Sequence, residues 1–130
     1  MNPFIISTLI ITNLLKFEVA ISEKERIKGL MYRKNWGNID GMLFLHNKPE
    51  KVVYWMKNTY LNMYLLFIDD KFNLTEIKYP KILSEDLIIS CSNNIKYVLE
   101  IKPEISNIIL SNYEIFKKEL SNKIIKILSK

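Results

Sequence analysis

Short apolar segments of strand length follow one another along most of this chain, separated by turn-forming residues. Strands are typically about four to eight residues long and are bounded by Gly, Pro, Asn, Asp or Ser. The chain has 15 aromatic residues and one alanine, Ala20, which also favours sheet because aromatic side chains pack well on a pleated surface. The predicted strands are Ser7–Thr12, Leu15–Ile21, Gly41–Leu45, Lys51–Lys57, Leu61–Ile68, Leu74–Tyr79, Leu87–Ser90 and Lys96–Ile101.

A short helix is predicted after the second strand. Ser22 and Glu25 have the spacing of a capping box, in which two side chains satisfy free backbone amides at the start of a helix. The box predicts a helix from Glu23 to Arg33, and Gly29 in its middle indicates that another group approaches the backbone closely there. Arg26 and Arg33, seven residues apart, are expected to emerge from nearly the same face of this helix.

The C-terminal segment also predicts a helix, with Ser111 and Glu114 as a second capping box. Its apolar stripe could lie on a membrane surface, but such helices more often cover their own sheet. The stripe consists of Tyr113, Phe116, Leu120, Ile124, Ile127 and Leu128. The predicted fold is therefore a single α+β domain, rich in β structure. It has a mostly antiparallel curled sheet or partial barrel, a short helix near residues 23–33 and a C-terminal covering helix.

Charge and composition argue against several classes of function. The 19 basic and 14 acidic residues give a net charge of +5, but the lysines are spread out, so no nucleic-acid partner is predicted. Cys91 and His46 are the only cysteine and histidine, which excludes an internal disulfide and a structural zinc site. His46 is expected to be a partly exposed turn residue. No metal, no other cofactor and no catalytic residue is predicted.

The most apolar stretch, Phe4–Leu15, does not predict a membrane span. Ser7, Thr8, Thr12 and Asn13 interrupt it, and a span needs about 20 apolar residues. It also lacks the basic start and the small cleavage-site residues of an export signal. A β-hairpin turning at Asn13 fits better than a degenerate signal, and a cytoplasmic location is expected for the chain as it stands.

Polar side chains occur at three places where the strand pattern is otherwise apolar. One is the strand that carries Glu18, together with the helix after it; the second is the end of the strand at Trp55; the third is Glu100, within an apolar strand. Polar groups beside an aromatic residue at a strand end are typical of a small-ligand pocket. The predicted ligand-binding residues are Arg26, Arg33, Trp55, Lys57, Asn58, Thr59 and Glu100.

The same residues also permit a purely structural interpretation. Glu18 and Glu100 could form buried ion pairs with Arg26 and Arg33, because arginine binds carboxylates through two parallel hydrogen bonds and such pairs fix how a helix docks. The Asn–Thr pair after Lys57 could close a turn through bonds to the backbone. The residues alone leave both interpretations open.

The order and spacing of these motifs resemble a bacterial and archaeal family. From about Leu9 to Ile101 the chain is similar to the family called domain of unknown function 192, with Gly-Leu-Met and Trp-Met-Lys-Asn-Thr the most specific segments. The matching segments are Glu18-Val-Ala20, Arg26-x-x-Gly-Leu-Met-x-Arg33, Gly41-Met-Leu-Phe44, Trp55-Met-Lys-Asn-Thr59, Phe67-Ile-Asp69 and Val98-Leu-Glu100.

The resemblance implies a compact β-rich domain with short helices and without an established activity. Because family members often follow an export signal, it also implies an extracytoplasmic location if such a signal precedes this chain. Family members usually continue the Asn-Thr pair into Pro-Leu-Asp, where this chain has Asn62, Met63 and Tyr64. If the missing carboxylate is functional in the family, this chain would be a divergent or inactive form.

Three functional hypotheses follow. The first is a non-enzymatic domain that binds a small anionic ligand or a protein partner. Trp55 would stack on the ligand, and the basic residues, Lys57 with Arg26 or Arg33, would hold its anionic group. The second is an architectural module braced by internal Arg–Glu pairs. The third is a divergent hydrolase that uses Glu100 or Asp69 as a general base.

Overall fold

The computed structural model describes residues 7–11 and 14–129, which form a mixed α+β fold. Most strands belong to one six-stranded sheet with the order β1-β2-β3-β8-β5-β6, and β4 pairs with β7 in a separate two-stranded sheet. The strands are β1 Ser7–Ile11, β2 Leu15–Ala20, β3 Gly41–Glu50, β4 Val53–Tyr54, β5 Tyr64–Asp69, β6 Leu74–Lys78, β7 Ile88–Ile89 and β8 Ile95–Ile101. The helices are α1 Glu23–Lys28, α2 Ser106–Leu110 and α3 Tyr113–Leu128, with a 3-10 turn at Pro103–Ile105.

Strand pairing is antiparallel everywhere in the described sheet except between β2 and β3. The chain between these two strands includes α1, as a parallel connection requires a crossover. The end strands β1 and β6 are not neighbours, so the described strands form an open curled sheet. The predicted α+β class with a mostly antiparallel curled sheet is therefore confirmed. The predicted turn at Asn13 lies outside the described residues.

The two faces of the sheet bury separate apolar clusters. One cluster lies under α3, where Phe116, Leu120 and Ile124 pack against sheet residues that include Phe17 and Leu99. The predicted C-terminal covering helix is thus present. The other cluster lies on the opposite face, beneath α1 and the loops, and includes Leu30, Phe44, Met56 and Val98. We call these the helix face and the loop face.

Helix α1 begins as predicted but ends earlier than the predicted Arg33. Both hydrogen bonds of the capping box between Ser22 and Glu25 are present. The helix ends at Lys28 because Gly29 adopts a φ of +46°, which disfavours side chains other than hydrogen. A Cβ atom at Gly29 would lie 3.2 Å from the ring of Phe44, so the predicted close approach to this backbone is observed.

Two other local predictions were wrong, and one helical segment was not predicted. Lys51–Lys57 is not a central strand: only Val53–Tyr54 pairs, and Val53 is 54% exposed, because one side of the segment faces solvent. Ser111 does not cap α3; its hydroxyl instead donates to the carbonyl of Asn107 in the preceding helix. The helical residues 103–110 were not predicted, since Pro103 indicates only the end of a strand.

Gly41 allows β3 and β8 to pair closely beside Glu100. A Cβ atom at this position would lie 2.2 Å from the backbone oxygen of Glu100, a contact far shorter than any that Cβ atoms make in proteins. Only glycine therefore fits here without moving the strand that carries Glu100.

Candidate functional site

The loop face contains an open recess with a volume of 610 Å³ between α1 and the segment around β4. Its floor includes Phe44 of β3 and Glu100 of β8, and its rim includes Arg26 of α1 and Trp55. This volume is in the range of small-ligand sites, which are usually mostly apolar with a few convergent polar groups. The polar and charged residues that line the recess are Glu23, Arg26, Lys28, His46, Glu50, Lys51, Tyr54, Thr59 and Glu100.

Glu100 is the most unusual group of the recess. Alternation along β8 points its side chain to the loop face with Val98, and the residue is only 6% exposed. Among the described residues, no group donates a hydrogen bond to its carboxyl oxygens or forms an ion pair with them. Burial raises the pKa of Glu100 to about 8, because removal from water disfavours the charged form. At neutral pH the carboxyl group is therefore mostly protonated.

Arg26 places a cation at the rim of the same recess. Its Nη1 donates to the backbone carbonyls of Ile21 and Leu45, the latter at 3.0 Å. Within the described residues it forms no ion pair with a carboxylate. The guanidinium carries five N–H donors, so those not used by the two carbonyls are available to a ligand.

His46 and Tyr54 form a polar pair inside the recess. The His46 Nε2 and Tyr54 hydroxyl are 2.7 Å apart, and Nδ1 of His46 lies 3.6 Å from a Glu50 carboxylate oxygen. Burial lowers the pKa of His46, and nearby Arg26 lowers it further, so the ring is neutral at neutral pH. Burial raises the pKa of Tyr54 well above its usual value; the charge of Glu100 raises it further, while that of Arg26 lowers it.

The Trp-Met-Lys-Asn-Thr segment contributes unequally to the recess. Trp55, 40% exposed, and Thr59, almost buried, line it. Lys57 lies with its Nζ 5.0 Å from the centre of the Trp55 ring, a cation–π contact at the segment's outer side. Asn58 adopts a φ of +55° and donates to the Tyr32 hydroxyl at 3.0 Å, which ties this turn to the loop after α1.

Arg33 has a different environment from Arg26. It does not line the recess but forms an ion pair with Glu18, with Nη2 and Oε2 2.6 Å apart. Because α1 ends at Lys28, the two arginines do not share a helix face. The structure thus pairs Arg33 with Glu18, whereas Arg26 and Glu100 form no ion pair with each other.

The structure brings together four of the seven predicted ligand-binding residues: Arg26, Trp55, Thr59 and Glu100 line the recess, whereas Arg33, Lys57 and Asn58 do not. Sequence reasoning missed Tyr54, His46 and Glu50. The alternation of Val52, Tyr54 and Met56 could have indicated that the Tyr54 side chain points inward. His46 lies within β3 and not in the predicted turn, because β3 continues to Glu50.

Two features are absent from the described residues. No cluster of three or more His, Cys, Asp or Glu side chains is arranged to bind a metal ion there. No helix in the same part of the chain combines the length and apolar character that a membrane span requires.

The comparisons with known proteins identify the family. The sequence profile of the domain of unknown function 192 family, described as "Uncharacterized ACR", matches residues 8–109. The chain belongs to this family. None of the curated proteins matches the chain.

Two crystal structures share the family fold. One is a protein from Sinorhizobium meliloti 1021 that is suggested to be a transcription regulator; it is 35% identical over 73% of this chain and 77% of its own, with a TM-score of 0.63. The other, of unknown function, comes from Novosphingobium aromaticivorans DSM 12444. It is 22% identical over 80% of this chain and 87% of its own, with the same TM-score of 0.63, and it supports the fold only.

The position at which the family resemblance implies a carboxylate lies away from the recess. Tyr64, which stands where the resemblance implies an Asp, packs against the helix-face cluster, and its ring centre is 4.7 Å from that of Tyr79. The next residue, Leu65, pairs with Glu100 and points to the loop face. The substitution at position 64 therefore does not remove a group from the recess.

Proposed function

We propose that this domain binds a small organic anion in the loop-face recess without catalysing a reaction. The observation that carries the proposal is an open recess whose rim holds an arginine that forms no ion pair within 4.0 Å with a carboxylate of the described residues. A carboxylate or phosphate would complete the hydrogen bonding of Arg26, because a guanidinium binds two oxygens of either anion through two parallel bonds. Trp55, Phe44 and Tyr54 supply apolar surface for the rest of a ligand.

The experiment is an amide NMR titration with butyrate, benzoate and inorganic phosphate as probes. We expect chemical-shift changes at Gly29, Trp55 and Thr59 to saturate with at least one probe. Arg26→Gln keeps N–H donors for the two carbonyls but removes the charge, and should weaken binding about tenfold, the cost of one charge-assisted bond.

The matched control is Arg33→Gln, which removes an arginine outside the recess and should leave the affinity unchanged. The proposal is wrong if no probe shifts these amides, or if both variants bind as the parent protein does. Amide spectra of each variant show whether its fold is retained.

A second candidate function, the divergent hydrolase, is favoured by one observation. The raised pKa of Glu100, about 8, suits a general acid or base at neutral pH. Hydrolysis of p-nitrophenyl acetate that is lost in Glu100→Gln but kept in Glu76→Gln would support it, and equal rates in all three proteins would exclude Glu100 from such a role. The third hypothesis, internal Arg–Glu bracing, accounts for the ion pair between Arg33 and Glu18 but does not explain why the domain has an open recess.

A further inference from the structure

We infer that the ligand is a zwitterion, whose ammonium group binds Glu100 while its anionic group binds Arg26. The inference rests on the proposed function, because it uses the same recess and assigns a second contact to the same ligand. Its chemical class is that of amino acids and ω-amino acids, which carry one positive and one negative group joined by a short spacer.

The first argument is the unmet hydrogen-bonding capacity of Glu100. A carboxylate accepts several hydrogen bonds, and buried polar groups nearly always have partners. Here a side chain that is 6% exposed lines a recess, and no described group donates to it. Because every fully buried polar side-chain atom of the described residues has a hydrogen-bond partner, the Glu100 carboxyl oxygens are accessible from the recess. An ammonium group supplies three donors and a compensating charge, which satisfies a buried carboxylate better than a neutral donor does.

The second argument is the separation of the two charged groups. The charges of Glu100 and Arg26 both act on Tyr54, with opposite effects on the pKa of its hydroxyl. The pKa of Glu100, by contrast, reflects burial alone, so Arg26 does not neutralise it. The two groups therefore both lie near Tyr54 without forming an ion pair with each other, and one ligand with two opposite charges can occupy both.

The third argument is the composition of the walls. Phe44, Tyr54 and Trp55 line the same recess as Arg26 and Glu100. Aromatic rings attract cations through their negative faces, and they also exclude water, which strengthens a charge pair inside the recess.

The proton on Glu100 does not prevent such binding. Because the pKa of Glu100 is about 8, the free energy needed to ionise it at pH 7 lowers the apparent affinity for an ammonium ligand only about tenfold. An ammonium ligand should therefore bind more tightly as the pH rises from about 6 to about 8, because less free energy is then needed to deprotonate Glu100. The other titratable or charged groups that face the recess are Glu23, Arg26, Lys28, His46, Glu50, Lys51 and Tyr54.

The test is isothermal titration calorimetry with matched probes. The zwitterions are glycine, β-alanine, γ-aminobutyrate and ε-aminocaproate; the deaminated counterparts are acetate, propionate, butyrate and caproate; butylamine and hexylamine carry the ammonium group alone. We expect at least one zwitterion to bind about tenfold or more tightly than either of its halves, since each charge adds one charge-assisted bond.

Variants locate the ammonium contact. Glu100→Gln should reduce the affinity for the best zwitterion to that of its deaminated counterpart, and Glu76→Gln, at a carboxylate outside the recess, should change nothing. Glutamine is close in size to protonated glutamic acid, so we expect this variant to fold, which its amide spectrum checks.

The outcomes separate the two proposals. If carboxylates bind as tightly as their amino counterparts, or if Glu100→Gln leaves the preference for the zwitterion unchanged, the zwitterion inference is wrong and anion binding stands. If neither zwitterions nor carboxylates bind, both proposals are wrong. Tighter zwitterion binding that rises with pH and disappears in Glu100→Gln would support both.

Discussion

The two faces of the sheet are built from the same strands but are closed in different ways. On the helix face, α3 covers the sheet with Phe116, Leu120 and Ile124, and the cluster there is apolar throughout. On the loop face, a two-turn helix, a two-stranded sheet and loops cover the sheet incompletely and leave a recess with Glu100 inside it. The comparison indicates that the helix face supplies stability, whereas the loop face has less apolar packing because polar groups line its recess.

The largest expected effect is a loss of stability from Phe116→Ala on the helix face. Phe116 is almost fully buried, and its ring meets Phe17 edge-to-face with centres 6.2 Å apart. Removing such a ring should lower the free energy of unfolding by about 3–5 kcal/mol, through lost burial and a new cavity. Urea unfolding measures this, with Ile125→Ala on the exposed side of α3 as the control; a loss below about 1 kcal/mol would mean that α3 does not seal this face.

The next effect concerns how stability depends on pH through Glu100. Because burial raises its pKa from 4.5 to about 8, the folded state holds this proton more tightly than the unfolded state does. The resulting stabilisation is complete below about pH 4.5, falls between about pH 4.5 and about pH 8, and is lost above that range.

Glu100→Gln should abolish this loss, so that the variant gains a few kcal/mol over the parent protein as the pH rises to about 8. Urea unfolding at a series of pH values measures the difference. Glu76→Gln is the control: burial raises the pKa of Glu76, but the hydrogen bonds that its carboxylate accepts from Cys91 and Lys78 outweigh burial and lower this pKa below its usual value. Parallel stability curves for the parent protein and Glu100→Gln would show that Glu100 is not desolvated in solution.

A smaller effect is expected from the ion pair between Arg33 and Glu18. Both side chains are partly exposed, at 29% and 23%, so solvent screens part of their attraction. A double-mutant cycle with Arg33→Ala and Glu18→Ala should give a coupling free energy of about 1 kcal/mol. A coupling of several kcal/mol would instead make this pair the main anchor of the loop after α1.

The smallest effect is expected from restoring the carboxylate that the family resemblance implies, with Tyr64→Asp. Because Tyr64 lies on the helix face, the affinity of the recess for its best probe should not change, although the lost contact with Tyr79 should cost some stability. A calorimetric titration of the folded variant checks this. An altered affinity would show that the two faces are coupled through β5.

Much of the fold could be predicted from sequence because it depends on local patterns. The strand-length apolar segments and the turn residues between them predicted strands at β5 and β6, and the capping box predicted the start of α1. The prediction failed where neighbours decide the structure, as at Val53, whose outer side meets no second sheet. The site was only partly predictable: Trp55 and Glu100 were indicated because they are unusual within their predicted strands. The different partners of Arg26 and Arg33 depend on where α1 ends, and helix ends are the least certain part of a pattern.

Gly29 also has a consequence for how sequences of this family should be compared. Residues before it are positioned by helical periodicity, whereas residues after it follow the path of a loop. An insertion or deletion after Gly29 would displace Arg33 from Glu18 yet leave Arg26 at the recess. Relatives with a different spacing between the two arginines would thus keep an arginine at the recess, provided that the glycine directly follows the helix.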